Sequence, residues 1–372
     1  MIKTLTISDF RNHESSRIMA NVAKAVIITG PNGSGKTSIL EAISTLSAGA
    51  GLRGASVGEL LRNSPTQSIE QRAESREWGV VAELDDDTNV SVSWRDGDTY
   101  RRATIDGDGA PLSDLAKVLR MVWVTPREDR LFCDGASDRR AFFDRLAANF
   151  DPSHMGRAAR LSKLLSERAF ALKSWLAARS PQGEVWMDGI DKQIAQTAVS
   201  VAAARIKYIG EINYFLQDAR YSLTIAGCLE EKLAAGMAAA DAEREYLEYL
   251  SGARTLCGDK MTIDGAHKSD FVMFNGMLGM NVQMTSTGQQ KSALLSLVIA
   301  HAKLVRARTG ARPVILLDEA AAHLDVAARE NLFAELAAAD SQVWATGIDK
   351  GLFNGIDGAV FVACENGRIV EQ

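Results

Sequence analysis

Gly30-Pro31-Asn32-Gly33-Ser34-Gly35-Lys36-Thr37 follows the β-branched run Val26-Ile27-Ile28 and precedes Ser38-Ile39-Leu40-Glu41-Ala42-Ile43, whose apolar residues recur at helical spacing. The stretch matches G-x-x-x-x-G-K-[ST] in the strand–loop–helix context that this phosphate-binding loop requires. Its glycines let successive backbone N–H groups turn toward phosphate oxygens, and the start of the helix adds partial positive charge. Asn32, Gly33, Ser34, Gly35 and Ser38 are therefore expected around the phosphates of a nucleotide. Lys36 is expected to reach the β- and γ-phosphates, and the Thr37 hydroxyl to ligate Mg²⁺. ATP and Mg²⁺ are the expected cofactors, and an α/β fold is the expected class.

The second half of such a site stands far downstream. Val314-Ile315-Leu316-Leu317-Asp318-Glu319 reads as a central parallel strand that ends in two carboxylates. Asp318 falls at the C-terminal edge, where α/β proteins bind ligands, and is expected to hold Mg²⁺. Glu319 is placed to polarise the attacking water, which suits hydrolysis better than storage. The plain alternative is an acidic helix cap after a buried strand.

Six further stretches carry a resemblance. Ser286-Thr287-Gly288-Gln289-Gln290-Lys291, leading into an apolar helix ahead of the Asp318-Glu319 strand, resembles the signature motif of ABC-type ATPases. Ala322-His323-Leu324-Asp325 is similar to their D-loop. The start Ile2 to His13 resembles the first strand of the SMC and RecF branch. Thr125 to Asp129, Gly135 to Asp144 and Gly265 to Asp270 are similar to the RecF family of bacterial recombination mediators. The resemblance implies an ABC-type ATPase head in which Arg11 and Asn12 lie beside the nucleotide. It further implies an ATP-dependent homodimer in which Ser286, Gly288, Gln289 and Asp325 act in trans on the partner's nucleotide.

The physics of the signature stretch is compatible with that role. A serine hydroxyl and a glycine N–H at a helix N-terminus form an anion site, and the helix starting at Lys36 already supplies one for its own loop. Read alone, Ser286-Thr287-Gly288-Gln289 is an ordinary capped helix start. Two departures from the ABC pattern stand out. Val122-Trp123-Val124-Thr125-Pro126 lacks the glutamine that bridges metal and water in many relatives. Thr346, in Gln342-Val343-Trp344-Ala345-Thr346-Gly347, stands where many carry a switch histidine, and threonine bears no titratable charge near neutral pH. Slow hydrolysis is expected.

At 372 residues, 46% hydrophobic and 24% charged, the chain can support two or three domains with cores of their own. The expected division is a head at 1–136 with the P-loop and a β-meander lobe, an inserted compact α-helical arm at 137–256, and the head again at 257–372. Trp78 to Leu84, Asn89 to Trp94 and Thr99 to Ile105 alternate between Asp/Gly turns as a meander would. One helical stripe runs from Leu161 to Leu176 and another from Ile190 to Phe215, parted by Pro181-Gln182-Gly183. Near-heptad spacing lasts only a few turns, far short of a long coiled coil. No signal peptide and no transmembrane run is read, and Cys133, Cys228, Cys257 and Cys364 lack metal-ligand spacing, so a cytoplasmic protein with reduced thiols is expected.

The resemblance implies duplex DNA at gaps or junctions, a RecR-type mediator and the loading of recombinase on single strands. Composition is cooler, because the net charge is −5 and no global basic field exists. Arg53, Arg139, Arg140, Arg157, Arg160 and Lys163 are the basic groups expected to neutralise phosphates, against the alternative of a solvated helix face. Two other functions stay open at this level: an ATP-gated dimeric regulator of a protein partner without DNA binding, and a transporter ATPase subunit.

Overall fold

The computed structural model describes residues 1–49, 51–62, 76–178, 180–218, 220–256, 262–319, 324, 326–353 and 356–371. They form two compact units, Met1–Arg130 with Leu294–Gln372, and Leu131–Ala293. In chain order the first stretch contains β1 (Ile2–Phe10), β2 (His13–Met19), β3 (Ala25–Thr29) and α1 (Lys36–Thr45). There follow β4 (Glu77–Leu84), β5 (Asn89–Arg95), β6 (Arg102–Ile105), β7 (Asp108–Ala110), α2 (Leu112–Val118) and β8 (Met121–Val124). The second unit contributes α3 (Ala136–Ala147), α4 (His154–Ala178), α5 (Pro181–Leu216), β9 (Tyr221–Ala226), α6 (Cys228–Ala234), α7 (Ala239–Leu256), β10 (Asp270–Asn275) and β11 (Met280–Asn281). The chain ends with α8 (Thr287–Thr309), β12 (Val314–Leu317), α9 (Val326–Ala338), β13 (Gln342–Gly347), β14 (Ala359–Glu365) and β15 (Arg368–Glu371).

Two sheets build the first unit. One has the order β15-β14-β3-β13-β12-β8, parallel except for β15 at its edge. β3 and β12 are buried along their whole lengths, as continuous β-branched and leucine runs between covered faces should be. The other sheet, β2-β1-β4-β5-β6-β7, is antiparallel, and β5 alternates between buried and exposed positions. Ile7, Phe10, Ile28, Ile39, Trp78 and Trp344 belong to one core with residues of both sheets. The meander starts its third strand later than the sequence suggests, at Arg102 rather than Thr99. Trp94 Nε1 donates to Asp98 O (2.7 Å), and the buried Arg101 guanidinium donates to Ser47 O (2.8 Å) and Gly49 O (2.6 Å), which holds this segment out of the ladder.

In the second unit α4, α6 and α7 pack on α5. Pro181 opens α5 where its missing N–H is harmless, and Ser180 Oγ caps it by accepting from Gly183 N (3.1 Å). Leu161, Leu164, Leu172, Ile190, Ile194 and Val201 from the two stripes share one core with Tyr246 and Leu250 of α7. The unit also holds a three-stranded sheet, β11-β10-β9, which an all-helical arm at 137–256 does not include. β9 directly follows the long helix and pairs antiparallel with β10, so residues beyond 256 fold with this unit. No described helix is long and apolar enough to cross a membrane.

A buried ionic array fixes α3 to α5. Asp144 accepts from Arg205 Nε and Nη2, both at 2.8 Å, and pairs with His154 Nε2 at 2.9 Å; Arg205 Nη1 also lies 3.3 Å from Glu230 Oε1. Burial alone raises the Asp144 carboxyl, but the hydrogen bonds from Arg205 and His154 outweigh it and hold the group at about 2. A carboxyl depressed in the folded state contributes stability that is complete above its unfolded value near 3.8 and is lost as pH falls through about 2. The shift corresponds to about 2 kcal/mol. Urea unfolding followed between pH 5 and pH 2 is expected to show that loss in the wild type and to lack it in Asp144→Asn, itself destabilised at neutral pH by about 3–5 kcal/mol because Arg205 loses its bidentate partner.

Candidate nucleotide site

β3 delivers the chain into the loop, and α1 starts at Lys36 with no acidic residue in its first turn and no side chain capping it. Its first N–H groups are left for an anion. The loop needs its glycines. Gly35 has φ +112°, and a Cβ there would sit 2.7 Å from both Asn12 Nδ2 and His13 Nε2. Gly30 has φ +149°, and its Cβ would sit 2.1 Å from Cys364 O. Lys36 Nζ donates to Gly30 O (2.7 Å) and Pro31 O (2.8 Å), so the ammonium lies curled over its own loop.

The start of the chain braces this loop. Asn12 Nδ2 donates to Ser34 O (3.2 Å), which also accepts from Gly367 N (2.7 Å). His13 is fully buried, with Nε2 3.1 Å from Gly35 O and Nδ1 2.8 Å from Ser16 Oγ. A carbonyl only accepts, so Nε2 carries the proton and Nδ1 accepts from the Ser16 hydroxyl. Burial lowers the His13 pKa, which keeps the ring neutral in this role. The sequence points to Arg11 and Asn12 and carries no role for His13. Arg11, at φ +57°, donates from Nε and Nη2 to Glu41 (2.8 and 2.7 Å) and from Nη1 to Glu59 O (2.8 Å). Arg53 stands 3.6 Å from the same Glu41 carboxylate.

The carboxylates arrive from β12. Asp318 N donates to Val124 O (2.9 Å), extending the ladder one residue past the strand. Asp318 is 5% exposed, and its Oδ1 accepts from the Thr37 hydroxyl (2.9 Å) and the Thr346 hydroxyl (2.8 Å). Burial raises its pKa, against those two hydroxyls. Glu319 follows at φ +53°, a left-handed conformation that costs a non-glycine residue about 1 kcal/mol. Its N–H donates to Thr346 Oγ1 (2.9 Å). Arg11, Asn12, Asn32, Lys36, Thr37, Arg53 and Glu319 line one cleft of about 440 Å³.

These groups fit a nucleotide and a divalent cation. Free helix N–H groups, an ammonium and two guanidiniums face one cleft, which is a donor set for a polyphosphate. Thr37 and Asp318 present a hydroxyl and a carboxylate oxygen side by side. Among the described residues no cluster of three or more His, Cys, Asp or Glu could hold a metal; Thr37 and Asp318 are the residues that would hold a divalent cation, as the hard oxygen donors Mg²⁺ takes.

The signature stretch lies in the second unit. Ser286 Oγ accepts from Gln289 N (3.4 Å) while Gln289 Oε1 accepts from Ser286 N (3.1 Å), a reciprocal capping box. Ser286, Gly288 and Gln289 are exposed. Gln290 and Lys291 are buried rather than on a solvated face; Gln290 Nε2 donates to Thr285 O (3.0 Å) and its Oε1 accepts from Cys133 Sγ (3.1 Å). Asp325 lies outside the described residues.

The basic residues expected at DNA divide sharply. Arg139 is not available: it is 6% exposed, chelates Asp270 (2.6 and 2.9 Å), and spends Nη1 on the carbonyls of Leu131, Phe132 and Asp134. Arg140 is half-buried and donates to Ser269 O (2.7 Å). Arg157 is half-buried and pairs with Asp151. Arg53 belongs to the nucleotide cleft. Arg160 is exposed on α4 and bonds Gln193 (2.9 Å), and Lys163 is 80% exposed, 3.7 Å from Glu167.

The family model described as RecF/RecN/SMC N terminal domain matches residues 1–370. The chain is 34% identical over 380 residues to the DNA replication and repair protein RecF of Rhizobium leguminosarum bv. trifolii, an alignment that covers 100% of this chain and 98% of that one. Its fold is similar to solved structures of the recombination mediator protein RecF, one with ATPrS (TM-score 0.82, 21% identity, covering 99% of this chain and 97% of that chain) and one with ATP (TM-score 0.78, 20% identity, 100% and 99%). With an ABC-like head fold, full-length similarity to curated relatives and the nucleotide cleft in place, this chain belongs to the RecF family.

Proposed function

We propose that this protein is an ATP-gated DNA-binding clamp of recombinational gap repair. ATP and Mg²⁺ occupy the cleft, two chains close on two nucleotides, and hydrolysis releases them. Lys36 and the α1 N-terminus bind phosphate, Thr37 and Asp318 hold the cation, and Glu319 accepts a proton from the attacking water. The cation would neutralise charge developing on the phosphates. Ser286 and Gly288 act on the partner's nucleotide; their exposure supports this, whereas Gln289 serves the capping box and so shapes the loop. The observation that carries the reading is the hydrogen bond from Thr37, which lines the cleft with Lys36 and Glu319, to the buried Asp318 carboxylate behind it.

The relatives are DNA replication and repair proteins, which favours gapped or junction duplex DNA, a RecR-type mediator and recombinase loading over transport. Arg160 and Lys163 are the residues proposed to touch phosphate, with Arg157 and Arg140 in supporting positions. ATP turnover measured with and without gapped duplex at two salt concentrations tests this. Stimulation that weakens as salt rises is expected, because phosphate neutralisation releases counterions. An ATP-dependent dimer indifferent to every DNA would instead favour a protein partner, a reading that the net charge of −5 supports.

A further inference from the structure

We propose that Thr346 is a positioning residue that holds the cation carboxylate and the water-activating residue in register through one hydroxyl. This rests on the reading of the cleft as an ATPase site and adds a residue that the phosphate-loop and carboxylate motifs do not include. β13 runs between β3 and β12, so its C-terminal end emerges between the phosphate loop and the two carboxylates. Thr346 is 1% exposed, and its Oγ1 contacts both carboxylate residues: Glu319 N at 2.9 Å and Asp318 Oδ1 at 2.8 Å.

The direction of this chain of hydrogen bonds is fixed by chemistry. A backbone N–H only donates, so Thr346 Oγ1 accepts from Glu319, and its single proton is left for Asp318. The relay therefore runs Glu319 N–H to Thr346 O–H to Asp318 carboxylate. One end ties down a residue at φ +53° that lacks a helix or strand ladder to hold it. The other end leaves Asp318 Oδ1 shared with Thr37, so the carboxylate cannot rotate without breaking two hydroxyl contacts. The Asp318 carboxylate and the Glu319 backbone thus have their positions set from β13, by a group that takes up no proton near neutral pH.

Thr346→Val keeps the shape and removes the hydroxyl; Thr346→Ser keeps the hydroxyl and removes the methyl. Turnover in Thr346→Val is expected to fall about 10- to 100-fold, the range for groups that orient metal ligands. The second readout is the Mg²⁺ concentration giving half of the cation-dependent gain in melting temperature with a non-hydrolysable ATP analogue; it should rise by roughly tenfold. Binding of a fluorescent ATP analogue without Mg²⁺ should stay near wild type, and Thr346→Ser should restore turnover and the Mg²⁺ midpoint. A valine variant with wild-type turnover and Mg²⁺ midpoint overturns the proposal, as does a serine variant as impaired as valine, which would place the effect in packing. A wild-type chain that binds no nucleotide overturns the ATPase reading itself and is distinguished by that control.

Discussion

Glu319→Gln is expected to cut steady-state ATP turnover by about 10²- to 10⁴-fold while leaving ATP binding close to wild type. Glutamine matches glutamate in size, so the tie from residue 319 N to Thr346 and the left-handed backbone survive the change. What disappears is a carboxylate able to take a proton from water at the edge of the phosphate cleft. Loss of a positioned general base accounts for the range quoted. In the proposed cycle hydrolysis opens the dimer, so the variant should also prolong the ATP-bound dimer. Single-turnover hydrolysis, with a melting curve to verify folding, measures the first effect. Undiminished turnover would remove Glu319 from the chemical step.

The second large effect is at Lys36. Lys36→Ala should weaken ATP binding by more than about a hundredfold, equivalent to roughly 3 kcal/mol, because it removes a charged donor from a desolvated phosphate contact. The ammonium donates to the Gly30 and Pro31 carbonyls, neutral acceptors that a triphosphate would outcompete. The substitution also strips two carbonyls of a donor. Lys36→Gln, which can still donate to a carbonyl but carries no charge, separates these causes: it should lose affinity nearly as severely while melting like wild type. Titration of a fluorescent ATP analogue reads both variants, and unchanged affinity in both would refute the phosphate-loop assignment.

The phosphate loop was legible in the sequence because its chemistry is contiguous: strand, glycines, lysine and helix lie within a few turns of chain. β12 was legible for a similar reason, since four apolar residues ending in Asp318-Glu319 state both burial and edge position. Features made by distant pairing were not. The Thr346 relay exists only because β13 lies beside β12 in parallel register, which places Ala345 opposite Leu317 and Thr346 one step beyond. Arg139 reads in the sequence as a cation for phosphate, yet its partner Asp270 stands 131 positions away in β10. The same long-range pairing of β9 with β10 hid the small sheet of the second unit. His13 carried a signal that could have been used: a histidine beside Asn12 in a strand hairpin, near a loop whose carbonyls need donors.

ATP-gated dimerisation is the centre of this account, and oligomeric mass in solution tests it most directly. Light scattering on the full chain with Mg²⁺ and a non-hydrolysable ATP analogue should show a dimer, and without nucleotide a monomer. Ser286→Arg, whose exposed position tolerates a larger side chain, should bind the analogue normally and stay monomeric. A wild-type chain that remains monomeric with the cleft saturated, or a Ser286→Arg chain that dimerises like wild type, would contradict the claim.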